Sequence, residues 1–174
     1  MKRFILLLSI SLILFSCSDD DSDLSGPSIV VEHNGVQVNE LFLNQLKLNL
    51  SSRELSLYDQ LHRKQKNYRV FELADLLRHF YTDSLNTAAA SLKIQFRALD
   101  GYTVEAPLSQ MLEDGGYLAF EDLDVEGEGN WEIIVPERSN NPAPYYIVWS
   151  GEDQDPFDSA YPWPYQLRTI NLED

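Results

Sequence analysis

Cysteine is the scarcest residue of this chain: one in 174, at position 17. Downstream of it there is no thiol for a disulfide, an iron–sulfur cluster, a thiolate zinc site or a Cys-x-x-Cys-His haem attachment. A domain built from residues 29–174 therefore depends on burial for its stability. Positive charge is the second shortage, with 13 lysines and arginines against 28 acidic residues and a net charge of −15. That surface repels phosphate backbones and argues against nucleic acid as a partner, while favouring a basic protein or a cation. Histidine is third. His33, His62 and His79 are not spaced at i, i+3 or i+4, so no helical zinc motif exists. His79 is better read as a favourable charge near a helix C-terminus. No Gly-x-Ser-x-Gly nucleophile elbow and no internal repeat at a solenoid period occurs. Long hydrophobic runs are missing too. Phe4 to Phe15 is apolar except for Ser9 and Ser11, well short of the roughly 20 residues a membrane-spanning helix needs.

What is present begins with an address. Lys2 and Arg3 precede that short apolar run, and Leu14-Phe15-Ser16-Cys17 closes it. The arrangement resembles a bacterial lipoprotein signal, in which a small residue precedes the cysteine that is acylated. The resemblance implies lipidation at Cys17, a diacylglycerol and an amide-linked chain as the anchor, and residues 1–17 as the signal peptide. More than one acyl chain makes such an anchor stable. Loss of Lys2 and Arg3 leaves 11 basic residues against 28 acidic ones, a net charge of −17. Residues 18–28 form an acidic tether without apolar periodicity, which predicts disorder. Its Ser18-Asp19-Asp20-Asp21 start resembles the export tag of surface lipoproteins in some Bacteroidota. Cell-surface and periplasmic faces of the outer membrane both stay open.

Hydrophobic residues make up 44% of the chain, enough for a core, and residues 29–174 read as a single domain. Ile29 to His33 predicts a strand closed by Asn34-Gly35. Val36 to Leu50 fits strand or short helix, and Glu54 to Tyr58 fits a strand. A basic cluster comes next at Arg63, Lys64, Lys66 and Arg69; with Lys47 it holds five of the 11 positive residues. Phe71 to Phe80 has the apolar spacing of a helix. Leu92 to Ala98 alternates with period two, Asp100-Gly101 predicts a hairpin turn, and Tyr102 to Ala106 returns. Pro107 suits the start of a short helix over Leu108, Met111 and Leu112, ended by Gly115-Gly116. Further strands are predicted at Tyr117–Phe120, Trp131–Val135, Tyr145–Trp149 and Tyr165–Leu172. The expected class is α+β, a mixed β-sheet or barrel-like core with a few short helices.

Several motifs in that order carry a resemblance. Asp100-Gly101-Tyr102 is followed by Ala106-Pro107-Leu108, Tyr117-Leu118-Ala119-Phe120 and Ile133-Ile134-Val135-Pro136. Together they resemble the molybdopterin-binding domains of sulfite oxidase-type oxidoreductases. Tyr68-Arg69-Val70-Phe71-Glu72-Leu73-Ala74-Asp75-Leu76-Leu77, Pro144-Tyr145-Tyr146-Ile147-Val148-Trp149 and Trp163-Pro164-Tyr165-Gln166-Leu167 are similar to a subgroup associated with c-type cytochromes. The resemblance spans about residues 36–172. It implies a molybdopterin-binding-domain-like fold and a c-type cytochrome or other envelope redox protein as partner. It departs from the enzymes in two respects: their molybdenum-ligating cysteine has no counterpart here, because Cys17 lies in the signal, and the basic residues that clasp the pterin phosphate are not identifiable.

Two site readings come from the residues themselves. Pro162 and Pro164 fix φ around Trp163 and hold its indole in one direction. Trp163 either caps the core beside Trp149 and Tyr146 or joins Tyr145, Trp149 and Tyr161 as the aromatic lip of a ligand or partner groove. Asp122, Asp124 and Glu126, in the acidic stretch Glu121–Gly129, are candidate Ca²⁺ ligands, although the stretch lacks the EF-hand spacing. Glu152 to Asp158 is a second acidic loop, and solvated loop tips are the simpler reading of both. No catalytic residue and no cofactor is assigned. The expectation is a membrane-anchored lipoprotein whose domain binds rather than catalyses. The alternatives are a redox enzyme retaining a pterin or other cofactor, and a surface scaffold or adhesion protein.

Overall fold

Neighbouring backbone geometry already accounts for the two tightest hairpins. Asn34 and Gly35 both adopt positive φ, 51° and 75°, the combination a two-residue hairpin needs to match strand twist. They join β1 (Ser28–His33) to β2 (Val36–Phe42). Gly101, at φ 89°, joins β5 (Lys93–Ala98) to β6 (Thr103–Pro107), and the Asp100 carboxylate accepts the Tyr102 N–H at 2.9 Å. A computed structural model describes residues 26–88, 91–127, 129–134, 141–151, 156 and 160–174. Cys17, most of the tether, Val135, Pro136 and all of the second acidic loop except Pro156 lie outside them.

The remaining elements are α1 (Leu43–Asn49), β3 (Ser52–Asp59), β4 (Lys64–Glu72), α2 (Leu73–Ala88), α3 (Leu108–Met111), β7 (Gly116–Asp122), β8 (Tyr146–Trp149) and β9 (Leu167–Glu173). One sheet runs β2-β1-β9-β5-β6 and the other β3-β4-β7-β8. The β1–β9 pair is parallel, and the other pairs are antiparallel. The result is a mixed α+β fold made mostly of sheet, with a curled half-barrel sheet. A continuous core draws Ile29, Phe71, Leu76, Phe96, Leu118, Ile147 and Ile170 from both sheets and α2. Tyr81 stitches α2 to the five-stranded sheet, because its hydroxyl donates to the carbonyls of Glu32 and Ile170 at 2.9 and 2.8 Å. Helical geometry breaks at that residue, with φ −123° and ψ 30°, so His79 falls in the last turn before the kink.

Three sequence expectations are corrected. The helix starts at Leu73, not Phe71, because β4 continues through Phe71 and Glu72 in pairing with β3 and β7. The described part of the expected strand Trp131–Val135 is irregular. At Glu132 the backbone bonds to side chains instead of a ladder: its N–H donates to the Asp122 carboxylate at 3.0 Å, and its C=O meets His62. The last strand starts at Leu167, since Gln166 adopts φ 55° and interrupts the alternation before it.

The paired prolines have a structural answer. Residues 162–164 lie along β8, the edge of the four-stranded sheet. Ile147 N–H donates to Pro164 C=O at 3.0 Å, and the Trp149 indole N–H donates to Pro162 C=O at 3.1 Å. A segment with few donors thus accepts from an edge strand and shields it, which a sheet edge otherwise leaves open.

Candidate functional site

The four aromatics expected to form a lip are mostly interior. Tyr145, Trp149 and Trp163 are buried, and only Tyr161 is half-buried. Trp149 meets the Tyr161 ring edge-on at 5.0 Å, and Trp163 packs on Tyr146 at 6.1 Å. The Tyr145 hydroxyl donates to Pro27 C=O at 2.8 Å, and that of Tyr161 donates to Glu113 at 2.9 Å. The cluster is a filled core layer instead of a groove. Gly116 allows it: a Cβ there would stand 2.7 Å from the Trp149 ring.

The proposed Ca²⁺ ligands are also redirected. Asp122 is buried and chelates the ammonium of Lys66, itself fully buried, at 2.7 and 2.8 Å. Asp124 and Glu132 approach the same ammonium at 3.3 and 3.1 Å. Glu126 is exposed and its carbonyl accepts the Asn130 amide. A lysine supplies the cation these carboxylates face. Among the described residues no cluster of three histidine, cysteine or acidic side chains is placed to hold a metal.

Lys66 belongs to a buried polar network that the motifs along the chain do not announce. Asp59, fully buried at the end of β3, accepts the hydroxyl of Tyr68 at 2.8 Å and the backbone N–H of His62 at 2.8 Å. His62 Nδ1 lies 3.2 Å from Asp59 Oδ2, while Nε2 lies 3.3 Å from the Glu132 carbonyl. Tyr146 adds a longer bond to Asp59 at 3.4 Å, and Trp131 packs on Tyr68 at 5.9 Å. A signal existed: alternation along β4 puts Lys66 on the same face as Tyr68 and Val70.

Electrostatics derive from that geometry. Burial opposes the charge on Asp59, yet hydrogen bonds from His62 and Tyr68 outweigh it and hold the carboxyl below its ordinary pKa. Burial likewise opposes the His62 cation, yet Asp59 and the Glu132 carbonyl raise its pKa. Lys66 is raised against the same opposition by Asp122 and Glu132. Tyr68 and Tyr146 are pushed well upward, first by burial and then by the Asp59 charge. Both ring nitrogens of His62 face acceptors, which suits the imidazolium.

These shifts impose a pH dependence. The His62 contribution to stability is complete below its unfolded pKa of about 6.5 and is lost as pH rises through the higher folded value. That of Asp59 is complete above about 3.9 and is lost as pH falls through the lower folded value. Both are present in full between about pH 4 and about pH 6.5. Thermal unfolding should therefore lose midpoint temperature above that window in the wild type. His62→Gln should lack this slope, and parallel profiles for the two proteins would reject the pairing.

An open concavity lies elsewhere. A cavity of about 730 Å³ is lined by Leu43, Lys47, Phe120, Leu123, Val125 and Pro144, with Pro27 on its wall. The Lys47 ammonium stands 5.3 Å from the Phe120 ring centroid, and Phe120 stacks on Phe71 at 4.5 Å. α1 positions the lysine, β7 positions Phe120, and the loop after β7 supplies Leu123 and Val125. The donors do not fit a molybdopterin. The one cysteine of the chain precedes β1, so the domain offers no thiolate for the metal, and the cavity presents one lysine instead of a basic clasp for a pterin phosphate. No protein-family model matches the chain, and no curated protein matches it in sequence.

Proposed function

We propose that this protein is a lipid-anchored binding module of the bacterial cell envelope, tethered to the outer membrane through Cys17. Its scaffold is read as a relative of the molybdopterin-binding domain that has no molybdenum chemistry. Its partner is read as a c-type cytochrome or another basic envelope redox protein. The observation that carries the reading is a contrast between interior and surface. The buried ionisable groups Asp59, His62, Lys66 and Asp122 are paired with one another, while an apolar cavity stands open beside Pro27, where the tether reaches the domain. Charges compensated inside the core hold a fold together, whereas an open cavity with apolar walls and a few polar groups is the form of a binding site. Eleven basic residues against 28 acidic ones in the mature chain suit a basic partner.

The test is a titration of the lipidated protein with a basic c-type cytochrome. Affinity should fall by about tenfold or more as ionic strength rises from about 0.01 M to about 0.15 M, because screening shortens the reach of surface charge. Binding that ignores salt would overturn electrostatic docking. Stoichiometric molybdenum in the purified protein would overturn the non-catalytic reading, and an unacylated mature N-terminus would overturn the anchor.

A further inference from the structure

The cavity beside Pro27 has one cation on its wall, Lys47. Two carboxylates belong to lining residues, and each is already taken. Glu121 accepts Arg69 Nε at 2.8 Å, and Asp122 holds the buried Lys66. The Pro27 carbonyl is occupied as well, by the Tyr145 hydroxyl at 2.8 Å and the Leu43 N–H at 2.9 Å. That leaves Lys47, which makes no ion pair among the described residues. In so acidic a chain this is exceptional. Arg53, Lys64, Lys66, Arg69, Arg78, Lys93, Arg97 and Arg168 each pair with a carboxylate. Arg63, the other described lysine or arginine without such a pair, sits in an exposed turn and is not among the residues lining this cavity.

We infer that this cavity binds a ligand with an apolar body and one carboxylate, the carboxylate meeting the Lys47 ammonium and the body lying against Leu43, Phe120, Leu123 and Val125. The inference rests on the reading of the domain as a binding module and names the ligand class of its cavity. A single ammonium is a compact point charge that suits one monoanionic group, in contrast to the fork of an arginine or a row of backbone donors. The cavity volume lies within the range of about 300–1,000 Å³ that small-molecule sites occupy. The apolar lining supplies affinity, and the lone cation sets orientation.

Octanoate and octanamide are the matched probes, equal in apolar body and different in charge. Each is titrated into the full lipidated protein held in amphipol, with leucine and valine methyls followed by NMR so that partitioning into the amphipol is not counted. Octanoate should shift the Leu43, Leu123 and Val125 methyls saturably, and octanamide should bind about tenfold more weakly. Lys47 is solvent-exposed on α1, so Lys47→Gln spares the core, and it should bring octanoate down to the affinity of octanamide. Equal affinity of the two probes, or indifference to Lys47→Gln, overturns the carboxylate assignment while leaving the cavity a binding site. No shift of these methyls with either probe overturns the cavity as well, and the cytochrome titration then still measures the binding reading independently. Shifts that appear only after Asp19, Asp20, Asp21 and Asp23 are replaced by serine would assign the cavity to the chain's own acidic segment, and so overturn the inference.

Discussion

Lys66→Met is expected to lower folding stability by about 3–5 kcal/mol, the usual cost of removing one partner from a buried ion pair. Lys66 and Asp122 are both fully enclosed, so the substitution strands a carboxylate without its cation, and Asp124 and Glu132 add like charge nearby. Urea denaturation should show a lower midpoint with an unchanged slope. The double variant Lys66→Met with Asp122→Asn should recover part of the loss. The Asp124 and Glu132 N–H groups bond to different oxygens of Asp122, at 3.1 and 3.0 Å, and an asparagine carbonyl can still accept one of them, so the recovery is partial. A loss under about 1 kcal/mol in the single variant would mean that the pair roughly balances its own desolvation and that Asp122 becomes protonated instead.

Trp149→Ala is expected to cost about 3–5 kcal/mol, the range for deleting a large buried aromatic. Its ring lies against Gly116 and Tyr161, and its indole N–H is bonded to Pro162. The alanine variant therefore opens a cavity and releases the proline segment from β8. Trp149→Phe keeps an aromatic ring, vacates part of the indole volume and leaves the Pro162 carbonyl short of a donor, so a smaller loss of about 1–3 kcal/mol is expected. Chemical denaturation of the two variants separates packing from hydrogen bonding. If phenylalanine costs as much as alanine, the strap is held chiefly by the indole N–H; if neither costs more than about 1 kcal/mol, residues 162–164 do not secure the sheet edge.

The two variants mark where local information ends. The hairpins at Asn34-Gly35 and Asp100-Gly101, the alternation Ile94, Phe96 and Ala98, and the short helix after Pro107 are all legible along the chain. Each depends on residues within a few positions of one another, through φ, side-chain period or a missing N–H. The α+β class comes from their order. The end of β4 was harder, because Phe71 and Glu72 share helical spacing with Leu73 to Phe80 and yet are claimed by cross-strand partners.

The candidate site was less legible. Trp163 stands out along the chain by its flanking prolines, but its direction, toward the core or outward to a ligand, depends on where β8 lies. Asp122 and Asp124 looked like ligands in search of a cation, and the cation is a lysine 56 residues before Asp122 in the chain. His62 reaches Glu132 across 70 residues. The sequence alone determined the turns, the strand periods, the cysteine-free domain and its acid excess, because those are properties of composition and of near neighbours. Only the tertiary structure decided which charges meet and which remain uncompensated, because burial and Coulomb partnership depend on distances that the path of the chain sets and its spelling does not.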